Sequence, residues 1–202
     1  MTHLDARQYL LRHRMPPRHR FAAPALAGAV LLALAACSQP LGLPPPVLSN
    51  FVDTIALFAL DGTPLTTPSA YKLSGRQLVR TDRSADFDFA FNIDPSNRAV
   101  LLPTGTVGLP QSSGIQVATT TFDALTVAPT GGYVFDRPVA VDVDVVALVR
   151  SRILGCSFGL SEPLYAKLHV LTVDLVARRI DFEILVDQNC GYRGLETGYP
   201  PQ

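Results

Sequence analysis

The sequence of 202 residues contains no tryptophan, and three of its four histidines lie within the first 19 residues. His169 is the only histidine in the rest of the chain, so no second imidazole is available there to share a metal ion or to relay a proton. The sequence also lacks a phosphate-binding loop, a dinucleotide-binding fingerprint and a cluster of metal ligands. We therefore expect the protein to bind no cofactor and no metal ion.

A long apolar run is also missing. The apolar stretch from Phe21 to Ala33 contains Pro24 and Gly28, and it is shorter than the roughly 20 apolar residues that a bilayer-spanning helix requires. Arginines at positions 12, 14, 18 and 20 precede this stretch. A positive segment followed by a short apolar segment is typical of an export signal, which the mature protein no longer carries.

This segment ends in Leu34-Ala35-Ala36-Cys37, which resembles the lipobox of bacterial lipoproteins. The resemblance covers residues 12–37. It implies cleavage between Ala36 and Cys37, acylation of Cys37 with diacylglycerol and palmitate, and attachment to a membrane through that lipid. Ser38, in place of an aspartate, resembles the lipoproteins that are sorted to the outer membrane.

Two alternatives stay open for this region. The first is an ordinary secretory signal, since cleavage sites of the Ala-x-Ala type are common after such apolar segments. The second concerns the start of translation, because a start at Met15 in place of Met1 would leave a compact positive segment before Phe21.

An excess of positive charge is absent from the expected mature chain. Five of the 17 basic residues and one of the 17 acidic residues lie before Cys37, which leaves 12 basic and 16 acidic residues after it. Nucleic-acid binding requires clustered Lys and Arg, so this balance argues against a nucleic-acid partner.

Cysteine is scarce as well, since Cys156 and Cys190 are the only thiols left once Cys37 carries lipid. In an exported chain an even pair predicts a disulfide bond. Two free thiols or half of a zinc site are the alternatives, but neither cysteine has a Cys-x-x-Cys partner or a second histidine nearby. The chain-entropy model gives a loop of this length roughly 3 to 4 kcal/mol of stabilisation.

The chain divides into three predicted regions: a signal peptide over residues 1–36, the lipidated cysteine with a proline-rich tether over residues 37–49, and a single domain over residues 50–202. A polyproline-like tether would reach up to about 37 Å, at roughly 3.1 Å per residue. The remaining length suits one domain with its own hydrophobic core.

Period-two alternation predicts that this domain is built from strands. Phe87, Phe89, Phe91 and Ile93 alternate with polar or small residues, and residues 139–145 and 180–187 show the same pattern. Further β-rich runs, separated by turn residues, are 51–60, 77–81, 99–102, 115–122, 125–128 and 164–176. About nine strands predict an all-β antiparallel β-sandwich or jelly roll.

Residues 164–187 predict one hairpin that turns near residues 177–179, and a Cys156–Cys190 bond would clamp its open end.

One motif suggests catalysis. Gly155-Cys156-Ser157-Phe158-Gly159 matches the Gly-x-Ser-x-Gly elbow of α/β-hydrolases, which requires a helix after the serine and a later acid and histidine. Ser161-Glu162-Pro163 is a poor helix start, and His169 lies inside a predicted strand. We therefore interpret the motif as a loop before a strand, and His169 as an isolated strand residue without a catalytic role.

Two groups of polar residues have structural interpretations. Asp86 with Asp88, and Asp142 with Asp144, are interpreted as solvated strand faces, with a surface calcium ion as the alternative. Tyr192, Arg193 and Tyr199 either line a ligand surface or belong to a tail that packs over a sheet edge, and we prefer the packed tail.

The sequence therefore predicts a lipid-anchored lipoprotein of the cell envelope, more plausibly at the outer than at the inner membrane, with a β-sandwich that binds an envelope protein or glycan or has a structural role. No catalytic residue is predicted. A hydrolase of envelope polymers and a carrier of an apolar ligand are the alternatives. The carrier requires Phe87, Phe89 and Phe91 to line a cavity.

Overall fold

Two antiparallel sheets enclose the hydrophobic core. The computed structural model describes residues 43–156 and 159–201, so the predicted signal peptide, Ala36, Cys37 and Ser157 lie outside the described residues. The strands, in chain order, are β1 (Val52–Phe58), β2 (Ala70–Lys72), β3 (Gln77–Val79), β4 (Phe89–Ile93), β5 (Ala99–Pro103), β6 (Gly114–Val117), β7 (Val139–Ala140), β8 (Val146–Gly155), β9 (Ser161–Asp174) and β10 (Arg179–Asp187). One sheet has the order β1-β10-β9-β8-β6 and the other has the order β3-β2-β4-β5-β7. The predicted all-β sandwich is confirmed.

Aromatic side chains link the two sheets across the core. Tyr71 of β2 lies 5.8 Å from Phe89 of β4, and Phe89 lies 6.0 Å from Phe182 of β10, measured between ring centroids. All three side chains are fully buried. Burying a side chain of this size contributes about 1.5–3 kcal/mol, and a tilted ring pair adds about 0.5–1.5 kcal/mol. The interior at these rings is therefore filled by side chains.

The predicted hairpin is confirmed as β9 and β10, which pair from Asp174↔Arg179 to Tyr165↔Asp187. Cys156 precedes β9 and Cys190 follows β10, and the two form a disulfide bond with Cα atoms 6.0 Å apart. This distance falls within the range that a disulfide requires. We call the end of the sandwich that carries this bond the proximal end, and the end that carries the β9–β10 turn the distal end.

Each sheet is also covered on its outer face. Residues 118–138 and the tail after Cys190 lie over the first sheet, where Phe122, Tyr133 and Leu195 are buried against Leu148 and Leu185. On the second sheet, Phe87 packs with Ala90 and Leu102 in a separate apolar cluster. The tail thus packs over a sheet, as the preferred interpretation predicted.

The predicted alternation of Phe87 with Phe89 and Phe91 is wrong at its first position. Phe89 and Phe91 face the central core, whereas Phe87 belongs to the outer cluster. The reason is that β4 begins only at Phe89. Phe87 precedes the strand, so the alternation of side chains along a strand does not fix the direction in which it points. Asp88 is correspondingly buried, with 1% of its surface exposed, and not on a solvated face.

The predicted strand 139–145 is also corrected. Pairing ends after Ala140, and residues 142–145 form a turn in which the N–H of Val145 donates to the carbonyl of Asp142. Asp144 has a φ of 68°, in the left-handed region that Asp adopts more readily than most residues. Asp142 and Asp144 therefore do not share a strand face.

Other strand predictions were incomplete. β8 and β2 were not predicted, and residues 125–128 contribute a single bridge, Val127↔Gly194, in place of a strand. β8 carries four consecutive buried residues from Val146 to Val149, because both of its faces are covered. Such a run lacks the alternation on which the other strands were recognised.

A buried carboxylate joins the two sheets near the proximal end. Asp88, just before β4, accepts hydrogen bonds from the N–H of Leu73 at 2.7 Å and from the N–H of Arg152 in β8 at 3.2 Å. The guanidinium of Arg152 also lies 3.8 Å from Asp88 and pairs with the exposed carboxylate of Asp86. Burial raises the pKa of Asp88, while the two N–H donors oppose that rise.

Asp88→Ala should lower the free energy of unfolding by about 2–4 kcal/mol, because it leaves two buried N–H groups without an acceptor. The matched control Asp86→Ala removes a half-exposed carboxylate two residues away and should cost no more than about 1 kcal/mol. Urea unfolding of both variants measures the difference. Equal losses for the two variants would show that Asp88 does not join the sheets as described.

Candidate functional site

Three clefts meet at the turn 142–145, which lies toward the distal end of the sandwich. One cleft is lined by Asp142, Val143 and Val145, and the other two by Asp144 and Val146. β9 has 14 residues, so the distal end lies about 40 Å from the start of this strand at the proximal end. The turn is therefore the feature around which surface concavities gather, and we call the three together the distal clefts.

One of the three distal clefts has a mainly apolar lining. It has a volume of about 420 Å³ and lies between the β4–β5 turn, β7 and the β9–β10 turn. Val141, Val145, Val173 and Leu175 form its walls. At its rim, Arg98 forms an ion pair with Asp94 at 2.7 Å. Val176, in the adjacent β9–β10 turn, has 96% of its surface exposed.

A second distal cleft, of about 300 Å³, is acidic and contains His169. The Nδ1 atom of His169 lies 2.8 Å from Glu183, its cross-strand neighbour, and the Nε2 atom lies 3.6 Å from Asp144. Asp123 also lines this cleft. The interpretation of His169 as an isolated residue is therefore corrected, because carboxylates face both of its ring nitrogens.

A buried lysine fixes the wall of the acidic cleft. The ammonium group of Lys167 donates to the carbonyls of Phe122 at 2.7 Å and Leu125 at 3.1 Å, and it lies 4.4 Å from the centre of the Phe122 ring. Only 4% of Lys167 is exposed, and this burial lowers its pKa. Sequence reasoning missed this residue, since its partners are backbone carbonyls that carry no side-chain signal.

The described residues on either side of the hydrolase motif lie far from His169. Ser157 lies outside the described residues, but Cys156 before it belongs to the disulfide at the proximal end. Ser161 and His169 are eight positions apart along β9, which separates them by about 25 Å. The structure thus gives His169 carboxylate partners and places it far from the loop that carries the motif.

The aromatic and basic residues of the tail are held by the fold. Tyr192 is buried and its hydroxyl donates to the carbonyl of Pro44 at 2.8 Å. Arg193 donates to the carbonyl of Ala128 at 3.0 Å. Tyr199 is exposed over 66% of its surface. The first two residues therefore attach the tail to the domain.

Comparison with known proteins finds no matching family model and no similar curated sequence. Within residues 43–156 and 159–201, no group of three or more His, Cys, Asp and Glu side chains has an arrangement that could hold a metal ion. The same part of the chain has no helix with the length and apolarity needed to cross a membrane.

Lys167→Met should preserve the fold but release the wall of the acidic cleft. It should lower the free energy of unfolding by about 1–3 kcal/mol, because two carbonyls lose a charged donor. Amide hydrogen exchange over residues 119–128 should become faster. Lys72→Met is the matched control, since Lys72 is the only other lysine and pairs with exposed Asp86. Unchanged exchange in Lys167→Met would contradict the assigned role.

Proposed function

We propose that this protein is a lipid-anchored lipoprotein of the cell envelope whose β-sandwich binds a segment of another envelope protein at its distal clefts. The observation that carries this proposal is the convergence of three clefts on the turn 142–145. A binding site at the distal end of a molecule held by its N-terminal region is accessible to a partner. The lipobox resemblance supports anchorage through Cys37, and Ser38 supports the outer membrane.

The chemistry of the clefts indicates what the partner segment carries. Asp123, Asp142, Asp144 and Glu183 line the clefts together with apolar side chains, most of them valines. Arg98 is the basic residue of this lining, and Asp94 neutralises it. A partner with alternating basic and apolar side chains complements this surface. A glycan is a poorer match, because Phe122 is the one aromatic side chain among the residues that line these clefts.

The packed interior argues against the carrier alternative. Phe89 and Phe91 are fully buried, and the ring of Phe89 contacts rings from both sheets. An apolar ligand between the sheets would have to displace these side chains. The hydrolase alternative keeps one supporting observation, which is the cleft where His169 faces two carboxylates. The length of β9 between His169 and the loop that carries the motif argues against a catalytic pair of Ser157 and His169.

A defined peptide tests the binding proposal. We expect a fluorescein-labelled peptide of alternating lysine and valine to bind the lipoprotein reconstituted in nanodiscs. Asp142→Asn combined with Asp144→Asn should weaken this binding about tenfold at low salt, which corresponds to about 1.4 kcal/mol. Fluorescence anisotropy measures the affinity.

The control for this experiment removes the same number of charges elsewhere. Glu162→Gln combined with Asp136→Asn replaces two exposed acids that line none of the distal clefts. It should change the affinity less than twofold. Equal weakening in the two double variants would indicate attraction by net charge and would refute a site at the turn 142–145.

Anchorage has its own test. Cys37→Ser should release the protein from membranes after signal removal, because the acyl chains supply about 0.8 kcal/mol per buried methylene. Membrane fractionation after a high-salt wash measures the release. If the Cys37→Ser protein still sediments with membranes once its signal has been removed, the lipoprotein assignment is wrong.

A further inference from the structure

We propose that the proximal end of the sandwich rests on the lipid bilayer through a patch formed by Val47, Leu48, Phe51 and Leu160, which we call the proximal patch. This inference rests on the proposed anchorage at Cys37 but goes beyond it, because it assigns a lipid-binding surface to the folded domain. The partner is the headgroup and upper acyl region of the membrane that holds the lipid.

The N-terminal segment of the described chain is attached to the domain and does not extend from it. The side-chain oxygen of Asn189 accepts hydrogen bonds from the N–H groups of Val47 and Leu48, both at 2.9 Å. The side-chain nitrogen of Asn189 donates to the carbonyl of Leu48 at 2.8 Å. The folded unit accordingly begins at Leu43, so residues 43–49 belong to it and not to the predicted tether.

Asn189 is well suited to hold this segment. It is 5% exposed, precedes the bridged Cys190, and donates from its backbone and side chain to the buried carboxylate of Asp187, both at 2.9 Å. Tyr192 adds the contact to Pro44. The attachment of residues 44–48 is thus coupled to the disulfide and to the end of β10.

This attachment limits how far the domain can stand from the membrane. Six peptide units join Cys37 to Leu43, and they span at most about 20 Å whatever their conformation. The polyproline estimate of about 37 Å assumed that all residues up to Ser49 contribute to the reach. An anchor of this length keeps the proximal end next to the headgroups.

The proximal end also exposes the apolar side chains that such a position requires. Val47 is 78% exposed, Leu48 and Phe51 are each 47% exposed, and Leu160 is 36% exposed. Val47 and Leu160 line the same concavity beside the disulfide, of about 290 Å³. Apolar side chains that insert about 5–10 Å into the interface gain the free energy of leaving water.

Charge favours the same orientation. The guanidinium of Arg76 lies 3.7 Å from the centre of the Phe51 ring, so a positive group accompanies the apolar side chains. Such pairs suit an anionic lipid surface. The distal clefts carry carboxylates, which the same surface repels. The proximal patch and the distal clefts lie toward opposite ends of β9.

Tryptophan fluorescence tests this orientation, because the natural chain contains no tryptophan. The lipidated full chain is prepared with Val47→Trp, with Leu160→Trp, and with Val176→Trp as the distal control. Each variant is reconstituted in vesicles of phosphatidylethanolamine and phosphatidylglycerol, with and without brominated acyl chains. We expect bromination to reduce the emission of Val47→Trp and Leu160→Trp about twofold or more, since these side chains insert into the interface. The emission of Val176→Trp should not change.

Flotation of the vesicles separates the two proposals. If the variants do not float, the proposed anchorage fails before orientation is measured, and the lipid-facing patch fails with it. If they float and Val176→Trp is quenched as strongly as Val47→Trp, or if Val47→Trp is not quenched, the orientation is wrong. Quenching of Val47→Trp without quenching of Leu160→Trp would mean that the N-terminal segment alone meets lipid, and this outcome also overturns the patch.

Discussion

The rest of the structure depends on one constraint, which is that the half of the β9–β10 hairpin nearer the proximal end is removed from water on both of its faces. Residues 163–168 and 184–187 are buried in succession, whereas an antiparallel sheet commonly leaves one face wet. The inner face packs on the second sheet, but the outer face requires a cover, which residues 118–138 and the tail provide. The cover brings its own carbonyls out of water, and Lys167 satisfies two of them. Residues 121–123 of the cover form a wall of the acidic cleft, and Asn189 lies just before the tail. The wall of the acidic cleft and the attachment of the N-terminal segment therefore depend on the same packing requirement.

Sequence patterns predicted the fold class where apolar and polar residues alternate and where thiols are few. The alternation over residues 180–187 became β10, and two cysteines allow a single pairing. Prediction failed where a second physical effect was stronger than periodicity. Residues 139–145 alternate like a strand, but the side chain of Asp142 accepts a hydrogen bond from the N–H of Val143, and local bonding of this kind favours a turn. The first four residues of β8 are apolar on both faces, and β2 has only three residues, so neither strand produces a clear period.

The candidate site was less predictable than the fold, because its residues meet through pairings that the sequence does not display. The contact of His169 with Glu183 follows from the hairpin register, which a correct turn assignment can supply. The approach of Asp144 could not be foreseen once residues 142–145 were read as a strand. Asp88 resembled the exposed acid Asp86 in sequence, and only the start of β4 at Phe89 distinguishes their burial. The role of Asn189 gave no signal at all, since the backbone groups that it holds, those of Val47 and Leu48, lie more than 140 positions away.

The short edge strands of the second sheet have a consequence for a protein held at a surface. β3 has three residues and β7 has two, and these two strands form the edges of that sheet. The proposed lipid anchorage would confine molecules to two dimensions, where they would meet side by side at high local concentration. Edge strands that meet in this way can pair and start aggregation. A backbone ladder between two copies through β3 or β7 has too few hydrogen bonds to offset the conformational entropy lost when two chains are ordered. Neighbouring copies on a crowded membrane would therefore remain separate molecules along this sheet.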